Sequence, residues 1–510
     1  MRCSEARRVS DTMSVDRRRI TKSPRKPRVF IEASFTFSTD LRTGIQRVVR
    51  KLVTPLVEMT GPELNAGCDA VVPVVIGPEG VSVLEAKHVK ASAPQPELPG
   101  GVLGRASDRV ARQMFRLASK AAAWLRGVAL VIAPVPAVRR YVLAPRWEPG
   151  LSGAIARAIR LVPSRALHQV FAAPQDTEIA TPRDHRLIRG IDFRAGDVLI
   201  LLDSSWHQDF VFREIAKMRD AGVKIVFVIY DLIPLLHQEV VDGGLRDTFI
   251  KWVETTLELA DGYVAISEAV AAEMRTYLGS YGVLASGKDP GRIPTAWFHL
   301  GAEICEKPRN AADRVLPNRE IYRAKLSEGA FYLMVGTVEP RKRHLMVLEA
   351  FERLWKSDFE YRLVIAGRMG WLSPAQRRHF EGHPQRGKLM LHFENATDDD
   401  LQYLYANSRA VIQASLAEGF GLPIIEAAFN GKRVICSDIA VFREVAAAGT
   451  LFFARDSLDA LVAAIREEAR LPAAETVAGG AQPTSWDESR RWLVRESLLL
   501  ADPDALDRGK

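Results

Sequence analysis

The sequence predicts an α/β protein built from two facing Rossmann-like domains, each a doubly wound parallel sheet covered by helices. Short β-branched runs alternate with amphipathic helical patterns through most of the chain, which is typical of βαβ units. A length of 510 residues, with 47% hydrophobic and 26% charged residues, allows two separate cores. Facing domains of this kind bind ligands in the cleft at the carboxyl ends of both sheets.

The candidate strands fall into two series. The first series comprises residues 28–35, 70–76, 197–202, 224–229 and 263–266. The second series comprises residues 296–300, 331–335, 362–366, 388–393, 410–414, 433–436 and 450–453. Stretches rich in Gly, Pro, Ser and polar residues lie between residues 279 and 317. They predict an amino-terminal domain over residues 28–310 and a carboxyl-terminal domain over residues 311–485.

The positive charge is concentrated in two segments of the chain. The net charge is +8, yet the first 28 residues carry ten Lys and Arg against three acidic residues, and residues 101–170 carry twelve against two. The remaining body is therefore mildly acidic and is not expected to bind nucleic acid. Residues 1–27 lack the apolar core of a secretory signal, so we predict a disordered basic leader.

Residues 77–190 interrupt the alternation of strands and helices and are predicted to be a basic insertion in the first domain. One predicted helix carries cations at spacings of three or four beside apolar residues. These cations are Arg105, Arg109, Arg112, Arg116 and Lys120. Two interpretations stay open, namely a solvated helix packed on the first domain and an interfacial helix that contacts an anionic membrane.

Cysteine usage indicates a reducing compartment. Cys3, Cys68, Cys305 and Cys436 are widely spaced and form no CxxC pair. This spacing argues against a disulfide framework and against a structural zinc site, and it fits the cytoplasm. The sequence contains no run of about 18 uncharged apolar residues, so a spanning helix is not expected.

The most informative segment is a glycine turn that follows a strand of the second series. It contains Gly419 and Gly421, and Pro423 suits the first position of the helix after it. A glycine turn at a helix start presents backbone N–H groups and the positive end of the helix dipole to an anion such as phosphate. Glu418 and Glu426 can contact different hydroxyl groups of one sugar nucleotide. Alternatively, both glutamates merely favour a helix N-terminus.

A second glycine turn follows the predicted strand at residues 331–335. Gly336 turns the chain, and Arg341 and Lys342 stand at the start of a basic helix. Cations in this place would reach a diphosphate held over the turn and stabilise the charge that grows as a nucleoside diphosphate leaves. The alternative is that they lie on a solvated helix surface.

Glu418 and Glu426 are separated by seven residues, which begin with the sequence GFGLP. This pattern resembles the signature of family 4 retaining glycosyltransferases, which have the GT-B architecture of two facing domains. The resemblance implies that Glu418 contacts the donor sugar and is catalytic, and that Glu426 contacts the ribose. Arg341 and Lys342 correspond to the family's donor-phosphate residues, and Lys342 is also predicted to be catalytic. Many members carry Arg directly after this glycine, whereas this chain has Thr337. The resemblance therefore implies that either Arg341 or Arg343 supplies the missing charge.

The resemblance also assigns positions in the first half and at the end of the chain. Gly44 lies where family members place a glycine loop close to the donor phosphates. The surrounding sequence TGIQRV is similar to a bacterial subgroup that builds surface polysaccharides, so that Arg42 or Arg47 faces donor or acceptor. The tail at residues 486–510 resembles the family's closing helix, which packs back on the first domain. The implied donor-binding residues are Gly44, Gly336, Arg341, Lys342, Glu418, Gly419, Phe420, Gly421, Leu422 and Glu426.

Asp231 ends a hydrophobic strand where relatives line the acceptor side of the cleft with a polar pair. It would orient the attacking hydroxyl and is the third predicted catalytic residue. It could equally cap the following helix, since Asp is a common cap. Ser267 similarly matches a helix cap in the family.

The acidic run Asp398, Asp399 and Asp400 invites a metal interpretation, because Asp-x-Asp binds divalent ions in another glycosyltransferase fold. Here Thr397 precedes the acids and a helical pattern follows, so a capped first turn is the simpler account. No GxGxxG follows a strand and no GxxxxGK[ST] occurs. We therefore predict no metal and no cofactor.

The resemblance implies retaining transfer of a hexose from a nucleoside diphosphate sugar to a glycan or lipid-linked glycan in surface polysaccharide synthesis. Mannose is the first expectation. The reaction is expected in the cytoplasm, with peripheral contact to an anionic membrane left open. The alternatives are a non-catalytic glycan-binding or scaffold subunit of the same fold and a sugar-nucleotide epimerase or phosphorylase.

Overall fold

The computed structural model describes residues 25–39, 44–58, 67–85, 191–206, 208–304, 326, 329–357, 359–472 and 483–502. Within these residues, strands and helices alternate along the chain, and the strands form two separate sheets. The predicted α/β class with two Rossmann-like domains is confirmed. We refer to the first sheet with its helices as the amino-terminal domain and to the second as the carboxyl-terminal domain.

The first sheet is parallel except at one edge. Its strands are β1 (Arg28–Glu32), β2 (Ala70–Gly77), β3 (Gly80–Val83), β4 (Val198–Leu201), β5 (Lys224–Ile229), β6 (Gly262–Ala265) and β7 (Thr295–Trp297). They lie in the order β3-β2-β1-β4-β5-β6-β7, and β2 and β3 pair antiparallel. The helices are α1 (Ser34–Ser38), α2 (Gly44–Glu58), α3 (Asp209–Asp220), α4 (Ile233–Leu236), α5 (Gly243–Leu259) and α6 (Glu268–Gly279).

The second sheet is parallel throughout. Its strands are β8 (Phe331–Val335), β9 (Arg362–Ala366), β10 (Met390–Phe393), β11 (Ala410–Gln413), β12 (Arg433–Ser437) and β13 (Leu451–Phe453). The order is β10-β9-β8-β11-β12-β13, so the strand order reverses direction between β8 and β11. The helices that follow are α7 (His344–Trp355), α8 (Pro374–Glu381), α9 (Asp398–Asn407), α10 (Leu422–Phe429), α11 (Ala440–Val445), α12 (Leu458–Arg470) and α13 (Trp486–Ala501).

The central strands are buried on both faces. Every residue of β4, β8, β9 and β11 is buried. Helices cover both faces of such a sheet, so its strands consist of continuous apolar runs rather than an alternating pattern. This is why apolar runs alone locate most of the strands.

Two predicted strands and the start of the predicted insertion are corrected by the structure. The strand predicted at residues 296–300 is β7, which pairs with β6 in the first sheet and not in the second. The strand predicted at residues 28–35 ends at Glu32. The Glu32 carboxylate accepts a hydrogen bond from the Ser34 N–H at 2.6 Å, and the chain turns there into α1. The predicted insertion begins too early, since β3 lies within it and pairs antiparallel with β2 through a two-residue turn after Gly77.

The helix α13 packs on the amino-terminal domain. Leu493, Val494 and Leu498 are buried in the hydrophobic core of the first sheet. Arg490 Nε donates a hydrogen bond to the Leu52 carbonyl of α2 at 2.9 Å. The Trp486 ring lies against Gly301, where an added Cβ would come within 2.5 Å of the ring. The chain therefore returns from the second sheet to the first.

Some expectations lie outside the described residues. They include the basic leader as far as residue 24, the basic helix predicted around residues 105–120, Arg42 and the predicted domain boundary near residue 310. Among the residues that the structure describes, no helix is both long and apolar enough to cross a membrane.

Candidate active site

The loops that follow β8 and β11 lie side by side at the switch point of the second sheet. β8 and β11 are paired strands, and Gln413 Nε2 donates a hydrogen bond to the Val335 carbonyl at 3.1 Å. The Leu416 N–H donates to the Arg341 carbonyl at 2.8 Å, which ties one loop to the other. A crevice at such a switch point is the usual ligand site of an open α/β sheet.

The loop after β8 is shaped by a close approach of two backbone segments. Gly336 has a φ of 140°, and a Cβ at Gly367 would lie 2.0 Å from the Gly336 carbonyl oxygen. Only glycines fit this geometry. The turn Pro340–Lys342 follows, and Arg343 adopts a left-handed conformation immediately before α7. This turn places the side chain of Lys342 against Gly336. A Cβ added to Gly336 would lie 3.5 Å from Lys342 Cε.

The loop after β11 leads directly into α10. Gly421 has a φ of 98°, and the helix begins at Leu422, so that Pro423 is its second residue rather than the predicted first. The Ser437 hydroxyl donates to the Ser415 carbonyl at 2.6 Å and anchors the start of the loop to β12. The first-turn N–H groups of α10 are thus presented beside the loop that carries Arg341 and Lys342.

Glu418 is the centre of a charged cluster made by both loops. Its Oε2 lies 2.7 Å from Arg341 Nη1, and its Oε1 accepts hydrogen bonds from Lys342 Nζ and, at 2.7 Å, from the Ser415 hydroxyl. Arg341 Nη2 also pairs with Glu339 at 2.7 Å. Glu418, predicted from one sequence motif, is therefore in direct contact with Arg341 and Lys342, which were predicted from another.

The protonation state of Glu418 follows from these contacts. Burial raises the pKa of its carboxyl group, but Arg341 and Lys342 outweigh burial and lower the pKa to about 2. Glu418 is therefore ionised near neutral pH and is suited to accept hydrogen bonds rather than to donate a proton. Arg341 lies in this cluster, whereas Arg343 pairs with Asp456 at 2.5 Å.

Glu426 belongs to a second cluster, which includes a residue of the amino-terminal domain. Its Oε2 accepts a hydrogen bond from the Tyr405 hydroxyl at 2.7 Å. Its Oε1 lies 2.7 Å from Nη1 of Arg47, which projects from α2. Burial raises the pKa of the Glu426 carboxyl group, and Arg47 opposes this rise. Arg47 therefore faces the site predicted for the donor ribose.

Asp231 approaches the first cluster from the other side of the cleft. Gly419 packs so closely on the end of β5 that an added Cβ would lie 1.9 Å from the Tyr230 carbonyl oxygen and 3.3 Å from Asp231 Cβ. Asp231 accepts a hydrogen bond from the Ile233 N–H at 3.1 Å, at the start of α4. Burial raises the pKa of Asp231, and the nearby Arg341 opposes this rise.

The remaining predicted donor residues have different surroundings. The Phe420 side chain is buried in the core of the amino-terminal domain, and Leu422 packs against the same core. Gly44 is the first residue of α2, and a Cβ there would have no atom within 4 Å. Ser267 caps α6 by accepting from the Val270 N–H, and it also donates to the Gly419 carbonyl at 2.8 Å. Phe420 and Ser267 thus hold the two domains together at the glycine turn.

The acidic run at the start of α9 forms the predicted capped turn. Thr397 and Asp400 make a capping box, in which each side chain accepts from the backbone N–H of the other. Asp399 and Asp398 complete the acidic first turn, where negative charge is favourable. Within the described ranges, no group of three or more His, Cys, Asp or Glu side chains has an arrangement that could hold a metal ion.

His344, at the start of α7, is a buried histidine beside the site, and its protonation can be tested through the stability of the protein. Burial and the neighbouring Lys342 lower the pKa of His344 from 6.5 to about 3. Between these two values the unfolded chain binds a proton that the folded chain does not. The free energy of unfolding is therefore expected to fall below pH 6.5, by up to about 1.4 kcal/mol per pH unit from this residue.

Urea denaturation between pH 7.5 and 5 measures this dependence. His344→Leu is expected to flatten the slope relative to the wild-type protein. An identical slope in the wild-type protein and His344→Leu would contradict the assignment.

The fold and the site together define a two-domain α/β protein with a charged cradle at the switch point of its second sheet. Residues 318–474 match the family model described as Glycosyl transferases group 1. This segment of the carboxyl-terminal domain therefore carries a group 1 glycosyltransferase domain, and the predicted resemblance to a glycosyltransferase is confirmed.

Individual relatives have similar sequences or similar folds. The chain is 30% identical over 373 residues to the serotype-specific mannosyltransferase WbdA of Escherichia coli, a match that covers 71% of this chain and 44% of the relative. It is 33% identical over 159 residues to the O-antigen chain mannosyltransferase B of Escherichia coli, covering 31% of this chain and 41% of the relative. The chain thus spans less than half the length of these relatives.

Among solved structures, sucrose-phosphate synthase from Thermosynechococcus elongatus is similar, with a TM-score of 0.46 and 15% identity over 95% of this chain and 98% of that chain. Anabaena Alr3699/HepE, in complex with UDP and glucose, has a TM-score of 0.46 and 12% identity over 94% and 98% of the two chains.

Sequence reasoning missed two contributors to the site. Tyr405, which donates a hydrogen bond to Glu426, is fully buried and fits the apolar pattern of α9. Glu339, which pairs with Arg341, lies in the segment EPRK but had no assigned role. The signal for Glu339 was its place beside two cations, whereas no local pattern distinguishes Tyr405 from a core residue.

Proposed function

We propose that the protein is a hexosyltransferase that transfers a sugar from a nucleoside diphosphate sugar to a hydroxyl group of a glycan acceptor. The observation that carries this proposal is the contact among Arg341, Lys342 and Glu418 inside the segment that matches the glycosyltransferase family. Two cations beside the first-turn amides of a helix suit a diphosphate. Ionised Glu418 suits the hydroxyl groups of the donor sugar, and Glu426 suits those of the ribose.

The proposed sugar is mannose, supplied as guanosine diphosphate mannose, and the proposed acceptor is a glycan or lipid-linked glycan of a surface polysaccharide. The names of the relatives, a serotype-specific mannosyltransferase and an O-antigen chain mannosyltransferase, support this choice. The proposed place of the reaction is the cytoplasm.

We further propose that the reaction retains the anomeric configuration through attack on the front face of the donor. The bond between the anomeric carbon and the diphosphate oxygen breaks, the acceptor oxygen bonds to the same face, and its proton passes to the departing phosphate oxygen. Arg341 and Lys342 stabilise the charge on the leaving diphosphate. Asp231 orients the acceptor hydroxyl, and closure of the cleft excludes water, which would otherwise compete as acceptor.

We propose that no metal ion is required, because Arg341 and Lys342 supply positive charge where the diphosphate would lie. Unchanged transfer in the presence of EDTA supports this part of the proposal. Activity that is lost in EDTA and restored by a divalent cation contradicts it.

Incubation with a panel of guanosine, uridine and thymidine diphosphate sugars, with and without oligosaccharide or lipid-linked acceptors, tests the function. We expect acceptor-dependent release of the nucleoside diphosphate and an α-linked product from an α-linked donor, measured by NMR. Glycan binding without release indicates a scaffold subunit, and an altered sugar nucleotide without acceptor indicates an epimerase. Sugar 1-phosphate formed with inorganic phosphate indicates a phosphorylase, and a trapped covalent glycosyl-enzyme contradicts front-face attack.

A further inference from the structure

The carboxylate of Glu426 is covered on both oxygens. The residue is 1% exposed, with Tyr405 bonded to Oε2 and Arg47 against Oε1. A ligand hydroxyl cannot reach this carboxylate unless one of the two side chains moves away. The proposed ribose contact therefore requires an exchange of partners at Glu426.

Of the two partners, Arg47 is the one able to move. Tyr405 is fully buried in the core of the carboxyl-terminal domain. The Arg47 side chain is 21% exposed, is long and belongs to the opposite domain. Displacing Tyr405 would open the core, whereas displacing Arg47 requires only rotation of a partly exposed side chain.

The pair of Arg47 and Glu426 uses only part of the hydrogen-bonding capacity of the guanidinium group. The atoms Nη1 and Oε1 lie 2.7 Å apart, whereas Arg47 Nε is buried and, among the described residues, has no hydrogen-bond partner. A buried donor without a partner carries an energetic penalty that a closer carboxylate relieves.

A second carboxylate is in reach for Arg47 once it leaves Glu426. Asp398 Oδ1, in the first turn of α9, lies 4.0 Å from Arg47 Nε, and its side chain is 52% exposed. A short rotation of the guanidinium group would exchange the buried partner for this exposed one. The charge of Arg47 then remains paired while Glu426 becomes free.

We propose that Arg47 is an exchangeable positioning residue that occupies Glu426 in the empty protein and moves to Asp398 when the ribose hydroxyls of the donor bind Glu426. This inference rests on the proposed function and identifies how the same site selects a ribonucleotide. It also couples the amino-terminal domain to donor binding, because Arg47 belongs to α2 whereas both carboxylates belong to the carboxyl-terminal domain.

The test compares ribonucleoside diphosphates with their 2′,3′-dideoxy analogues by calorimetry at pH 8. The dideoxy analogue has no hydroxyl groups for Glu426 and leaves the pair of Arg47 and Glu426 intact. The ratio of the two dissociation constants therefore measures the affinity gained from the ribose hydroxyls, because the contribution of the phosphates is the same for both ligands. In Arg47→Met the hydroxyls no longer compete with a cation, and the preference for the ribonucleotide is expected to increase about fivefold or more. Lys51→Met, which removes the same charge from α2, is expected to leave the ratio unchanged.

The second carboxylate is tested in the same way. Asp398→Asn removes the alternative partner of Arg47 and is expected to lower the preference for the ribonucleotide. Asp399→Asn, which removes the same charge from the same helical turn, serves as the control and is expected to leave the ratio at the wild-type value.

The outcomes separate the two levels of the proposal. Ribonucleotide preference that is unchanged or reduced in Arg47→Met means that Arg47 only holds Glu426 in place and overturns the exchange. Equal effects of Asp398→Asn and Asp399→Asn overturn the role of Asp398. If the wild-type protein binds none of guanosine, uridine, adenosine and thymidine diphosphate, the proposed function fails, and the exchange fails with it.

Discussion

Lys342→Met is expected to lower the rate of sugar transfer by about 10²–10³-fold, the usual cost of losing one group that stabilises charge in a transition state. Lys342 lies beneath Gly336 and bonds to Glu418, so its charge is fixed at the place where a diphosphate would meet the helix-start amides. The effect is expected mainly in kcat, because the charge on the leaving oxygen grows as the bond breaks. Steady-state kinetics with the preferred donor measure it.

The control for this prediction is Lys356→Met, which removes an exposed lysine from the end of α7 without touching the cluster. Its kcat is expected to match that of the wild-type protein. Lys342→Met keeps Arg341 as a partner of Glu418, so the variant is expected to fold, and circular dichroism confirms that its fold is intact. A folded Lys342→Met variant whose kcat lies within about threefold of the wild-type value would remove Lys342 from the catalytic machinery.

Most of the fold could be predicted because its strands are buried on both faces. The apolar runs at residues 331–335 and 362–366 coincide with β8 and β9. The assignment of β7 failed because a short, half-buried strand gives no information about which sheet it joins. That choice is made by pairing with β6 and by α13, which returns to cover the first sheet.

The parts of the site that lie within one loop could be predicted, whereas the contacts between distant segments could not. Glycine turns at strand ends and the charges beside them are local, and they led to Glu418, Arg341 and Lys342. The pair of Arg47 and Glu426 joins two domains, so that no spacing along the chain indicates it. For Phe420 the local pattern was misleading. Its place in a glycine turn suggests a ligand contact, but its side chain is buried in the core of the amino-terminal domain.

Gly419→Ala is expected to lower the free energy of unfolding by about 1–3 kcal/mol and to reduce transfer by about 10²-fold, because it separates the two halves of the site. An alanine Cβ would lie 1.9 Å from the Tyr230 carbonyl oxygen and 3.0 Å from its carbon, both of them backbone atoms at the end of β5. No side-chain rotation relieves this overlap, so the loop after β11 has to move away from the amino-terminal domain.

The same movement would break the hydrogen bond from Ser267 to the Gly419 carbonyl and shift Asp231 away from the cluster around Glu418. Gly243→Ala is the matched control, because a Cβ there has no atom within 4 Å. Thermal unfolding and kinetics are compared for the two variants, together with the affinity for the nucleoside diphosphate. That affinity should fall less than transfer does, since Arg341 and Lys342 stay in the carboxyl-terminal domain. Equal losses of binding and transfer would mean that Gly419 shapes the donor cradle itself rather than the joint between the domains.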